Sequence, residues 1–96
     1  MKENLNMTML CDFYELTMGN GYFQHGYRDR ITYFDIFYRQ VPDNGGFAIA
    51  AGLEQIVDYI EELHFSESDI EYLRSRGIFS EEFLEYLANF KFTGDI

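Results

Sequence analysis

The apolar residues of this chain change period along its length, and that change limits the folds open to it. Residues 7–25 have helical spacing, with Leu10, Tyr14, Thr17 and Met18 on one face and Met9, Phe13, Leu16 and Phe23 on another. Residues 31–39 alternate instead. Thr32, Phe34, Ile36 and Tyr38 point one way; Ile31, Tyr33, Asp35, Phe37 and Arg39 point the other. β-branched and aromatic side chains of this kind suit a strand. Helical spacing then returns at Leu53, Ile56, Val57, Ile60 and Leu63. This order predicts an α+β fold: a small, helix-rich domain with a few antiparallel strands, occupying residues 1–96 as one unit.

Local signals refine the expectation. The two apolar faces of residues 7–25 predict a largely buried helix, with Asn6 or Thr8 as cap and Asp12 near the positive end of the dipole. Gly19 and Gly21 mark a close approach of another backbone or an early end. Pro42-Asp43-Asn44-Gly45-Gly46 reads as a turn, after which residues 47–51 either return as a second strand or lead into the next helix. Ser66 with Asp69 resembles a capping box, Gly77 a helix stop and Ser80 the cap of a last helix. Residues 90–93 read as the start of another strand.

Composition excludes several partners. Seventeen acids against seven bases give a net charge of −10, so nucleic acid and anionic membrane are not expected. No apolar stretch is long enough to span a bilayer, and Met1-Lys2-Glu3-Asn4 does not open a signal peptide, which reads as cytoplasmic. The lone Cys11 forms no internal disulfide and fits a small core residue better than a nucleophile. Ten Phe and eight Tyr are many for a small body, so some rings are expected to lie against another domain or a second copy.

Catalytic motifs are few. Gly19-Asn20-Gly21 lacks the third glycine of a dinucleotide fingerprint, Gly45-Gly46 lacks the Lys-Ser or Lys-Thr of a phosphate loop, and His25 and His64 are too isolated for a metal site. His64 fits a helix-end dipole contact. Three candidates remain. Tyr14 is a platform for a flat heteroaromatic ring, or a core tyrosine. Arg39 is a fork for phosphate or carboxylate, or half of a surface ion pair with Asp35. Asp12 orients a ligand, or is simply a first-turn helix acid.

In combination these residues carry a resemblance. Cys11-Asp12-Phe13-Tyr14-Glu15-Leu16-Thr17-Met18 resembles the "TDLYELTM"-type opening of nicotinate phosphoribosyltransferases, and Gly21-Tyr22-Phe23 fits its continuation. Residues 34–42 are similar to the family's "FdlfFRk-P" strand, residues 47–54 to its "fal-aGLe" segment, and residues 90–96 to the run before its "EG" segment. Cys11, Phe13 and Tyr38 depart from the usual Thr, Leu and Phe; Asp12, Tyr14 and Arg39 do not depart.

The resemblance implies an enzyme that joins nicotinate to phosphoribosyl pyrophosphate, coupled to ATP hydrolysis through a phosphorylated histidine and requiring Mg. It implies a homo-oligomer whose active site lies between the N-terminal region of one subunit and the β/α barrel of another. Tyr14 would stack on the pyridine ring, Asp12 would support it, and Arg39 would reach substrate phosphates. None of the barrel machinery is identified in these 96 residues, so no catalytic residue, metal ligand or cofactor site is assigned within them and the fold is expected to be incomplete alone. The competing expectation is an acidic, non-catalytic protein-interaction module.

Overall fold

A computed structural model describes residues 6–96; Met1 to Asn4, read above for targeting, lie outside the described residues. Four α-helices follow one another: α1 (Phe13–Gln24), α2 (Leu53–Glu62), α3 (Glu67–Ser75) and α4 (Glu81–Ala88). A single 3-10 turn, Pro42–Asn44, interrupts the long connection between α1 and α2.

The core lies between α3 and α4. Ile70 and Leu73 from α3 meet Phe83, Leu84 and Leu87 from α4, and all five are buried. Both helices begin on caps legible in the sequence. The Ser66 hydroxyl accepts from the Asp69 N–H at 3.2 Å while the Asp69 carboxylate accepts from the Ser66 N–H at 2.9 Å, a complete capping box. Ser80 accepts from the Phe83 N–H at 3.2 Å. Gly77, at φ +73°, ends α3 in the left-handed region that a Cβ disfavours, and so turns the chain back for α4.

Helix α1 lies across α4. Met9, Leu16 and Phe23 pack on the core from the one face, and the Asn20 amide oxygen accepts from the N–H and hydroxyl of Ser80, each at 3.4 Å. Gly19 is the close approach anticipated: a Cβ there would stand 3.4 Å from the Phe83 ring. No such neighbour faces Gly21.

Several expectations are corrected. The predicted α+β class does not hold, because among the described residues there is no strand and no sheet. Residues 31–39 and 90–93 carry strand composition but form no ladder, and residues 47–51 run without regular structure into α2 through Gly52 at φ +95°. A strand exists only with a partner at hydrogen-bonding distance, and the described chain supplies none. Helix α1 is not largely buried either. Tyr14 and Met18 on its second face stay exposed, as does Leu10 ahead of the helix. Cys11 is exposed, not a core residue. Neither Asn6 nor Thr8 caps α1; Thr8 is buried, and its hydroxyl accepts from the His64 N–H at 3.1 Å, just beyond α2. His64 does meet the end of α2: its Nδ1 lies 2.8 Å from the Glu62 carbonyl.

Candidate functional site

The beginning of α1 presents two of the three residues singled out from the sequence. Asp12 is the N-cap residue, in extended conformation (φ −69°, ψ 139°), and its backbone carbonyl accepts from the Glu15 N–H at 3.1 Å. Its carboxylate caps no backbone N–H of the helix, so a negative charge is held beside the positive end of the dipole with its oxygens open to solvent. Tyr14 follows in the first turn and is 58% exposed. The Tyr14 ring belongs to the face of α1 that the helical core leaves uncovered. Its carbonyl accepts from the Thr17 hydroxyl at 2.9 Å.

Between them, Phe13 points the opposite way. It meets Phe79 edge-on at 5.7 Å between ring centroids, and the Arg76 guanidinium lies 5.8 Å from its centroid. Phe13 thus fixes the rotation of the first turn against the loop before α4, and Tyr14, one residue on, is turned away from that contact.

Arg39 stands apart from this pair. It lies in the connection between α1 and α2, exposed, with its guanidinium 5.6 Å from the Phe37 centroid. Among the described residues no hydrogen bond, ion pair or ring contact joins it to Asp12 or Tyr14, and it forms no ion pair with Asp35. The first turn of α1 is therefore held by contacts within this chain, while Arg39 contacts its near neighbour Phe37.

Two features were missed in the sequence. Arg28 folds back over α4, 4.9 Å from the Tyr86 centroid and 5.8 Å from that of Phe23. Beneath it lies an apolar cavity of about 280 Å³, lined by Leu16, Gly19, Phe23, Phe83, Leu87 and neighbours. Nothing local marks Arg28, since its partner Tyr86 is remote in sequence; only the α1–α4 packing brings them together. The second feature is electrostatic. Partial burial, then the carboxylates of Glu15 and Asp12, push the Cys11 thiol pKa up, and burial together with Cys11 and Glu15 raises that of Tyr59. Both causes disfavour the Cys11 thiolate, the form that reacts. Among the described residues no group of three or more His, Cys, Asp and Glu side chains is arranged to hold a metal. No helix among them is long and apolar enough to cross a membrane.

Comparison with known proteins sets this geometry in a family. Residues 9–96 match the nicotinate phosphoribosyltransferase (NAPRTase) N-terminal domain. A nicotinate phosphoribosyltransferase of Mycobacterium tuberculosis is 40% identical over 88 residues, covering 92% of this chain and 19% of that protein. One from Caenorhabditis elegans is 38% identical over 90 residues (90% of this chain, 16% of that protein), and one from Bacillus subtilis is 33% identical over 79 residues (82% and 16%). The chain spans less than a fifth of the length of these relatives.

Proposed function

The chain belongs to the family of nicotinate phosphoribosyltransferase N-terminal domains, and from that premise we propose that it forms one wall of the site of an enzyme that joins nicotinate to phosphoribosyl pyrophosphate in NAD biosynthesis. The observation that carries this is the first turn of α1. An exposed Tyr14 ring and the uncommitted Asp12 carboxylate stand together within the segment that bears the family resemblance.

Bond formation at the anomeric carbon develops positive character on the ribose and negative charge on the departing pyrophosphate. A protein assists by holding the pyridine nitrogen in line with that carbon and by neutralising the leaving group. Tyr14 has the flat, exposed ring for the first task, with Asp12 as its supporting acid. Arg39, a guanidinium bound to no carboxylate, suits the second once its segment is ordered.

ATP and Mg belong to this reading for the whole enzyme. The described residues form no cluster of three or more His, Cys, Asp and Glu side chains fit to hold the metal. Nor does the reading include turnover by these 96 residues alone, because a platform with one wall exposes its ligand to water. The setting is cytoplasmic and the full enzyme a homo-oligomer.

The test is nicotinate-dependent turnover by a full-length protein carrying this domain, wild type against Tyr14→Ala. Loss of a stacking contact should lower kcat/KM roughly ten- to hundredfold. Unchanged kinetics would remove Tyr14 from the site and leave the exposed ring without a role.

A further inference from the structure

Helix α1 starts without the device that starts α3 and α4. Ser66 and Ser80 each accept a backbone N–H of their own helix, whereas the Asp12 side chain accepts none from α1. An uncapped first turn frays unless tertiary contacts hold it. Here rings hold it. Phe13, the first residue of α1, meets Phe79 edge-on, with centroids 5.7 Å apart and ring planes at 74°. Phe79 in turn is stacked on Phe83, at 5.9 Å and 24°, and Phe83 belongs to the buried α3–α4 core. The Arg76 guanidinium adds a contact 5.8 Å from the Phe13 centroid. The relay Phe13–Phe79–Phe83 thus ties the uncapped end of α1 to the core.

Phe79 is the middle link. It stands in the connection between α3 and α4, and no ring contact joins it to Tyr14 among the described residues. Its influence on Tyr14 runs through the backbone. Neighbouring residues of an α-helix point about 100° apart, so whatever sets the direction of Phe13 also sets that of Tyr14. Had Asp12 capped the helix, its carboxylate would be committed to backbone N–H groups. Support from the side leaves that carboxylate uncommitted.

We propose that Phe79 is a positioning residue for the transferase reaction: through Phe13 it fixes the first turn of α1, and with it the direction in which Tyr14 faces the substrate. The inference rests on the reading of Tyr14 as the platform for the pyridine ring. Phe79 itself touches no substrate. Displacing a positioned group by about 1 Å costs up to about a hundredfold in rate, so a loosened first turn registers in turnover before the fold is lost.

The test is a double-mutant cycle in a full-length protein carrying this domain: wild type, Phe79→Leu, Tyr14→Ala and the double variant, compared by nicotinate-dependent kcat/KM. Leucine keeps an apolar side chain and removes the ring pair. Phe79→Leu should lower kcat/KM about three- to tenfold. In the Tyr14→Ala background the same change should cost nothing further, since no ring is left to aim. Mere loss of folded protein would instead lower activity by the same factor in both backgrounds. Arg76 is exposed, so Arg76→Gln loosens the same Phe13 ring without touching the core and serves if Phe79→Leu folds poorly. It should cost about two- to fivefold, again only with Tyr14 present. If Tyr14→Ala leaves kcat/KM unchanged, the platform reading falls and the positioning role falls with it. If Tyr14→Ala lowers kcat/KM while the loosening variants do not, or lower it equally in both backgrounds, the platform stands and the positioning role of Phe79 is overturned.

Discussion

Cys11, Asp12 and Glu15 crowd three ionisable groups onto the start of α1, and the thiol feels it. Shielding of the sulfur is the larger cause of its raised pKa, with the two carboxylates adding to it by disfavouring a second negative charge. At neutral pH the thiolate fraction is therefore below that of a free cysteine, and alkylation by iodoacetamide should be slower than for a model thiol, accelerating only as pH rises past the usual thiol range. Glu15→Gln should partly restore the rate; alkylation at the model rate in the native chain would contradict the assignment. The sequence placed Cys11 in an apolar helical pattern and so suggested a core residue. Periodicity reveals which residues share a face, but not which face finds a partner. Of the two predicted faces, the one with Met9, Leu16 and Phe23 found the α3–α4 core. The Tyr14 face found nothing within the described chain, which leaves its ring exposed.

At the scale of elements, what was legible is what depends on near neighbours. The capping box of α3, the Ser80 cap and the Gly77 stop are made by residues a few positions apart, and each forms as its spacing suggests. Strands were misjudged because a strand is a relation between segments, and alternation specifies only one side of it. The α3–α4 pair also shows which forces matter. Arg74 of α3 donates to Glu81 at the start of α4 at 2.7 Å and bonds to Glu71 within α3. The hydrogen bond from Arg74 lowers the Glu81 pKa, so whatever stability the pair adds is present above the ordinary carboxylate pKa and is lost as pH falls through the lowered, folded value. Both groups are solvated, which makes that contribution small. Leu73, fully buried between the same helices, is another matter. Leu73→Ala should cost about 2–5 kcal/mol at any pH. Arg74→Ala should lower the melting temperature slightly at neutral pH and not at all in acid. Thermal melts of the two variants from neutral to acid pH decide the ranking, and a pH-independent Arg74→Ala deficit would assign its role to packing.

The whole molecule is a small helical body carrying a long uncovered segment. Its radius of gyration is 15.8 Å, against about 12–13 Å for a compact chain of this length. Among the described residues five hydrophobic side chains are buried, while Ile31, Tyr33, Phe34, Phe47 and Ile49 remain mostly exposed between α1 and α2. Composition foretold this surplus of rings; what it could not supply was the surface that covers them. Amide hydrogen exchange separates the two parts. Among the described residues none hydrogen-bonds the backbone of residues 31–38, so in dilute solution their amides should exchange at the rate of an unstructured peptide. Amides in the middle of α3 and α4, around Leu73 and Leu84, should be the slowest, since their exposure requires the core to open. Protection of residues 31–38 in dilute solution would mean that the segment has found its partner inside the chain, and the molecule would then be compact rather than open.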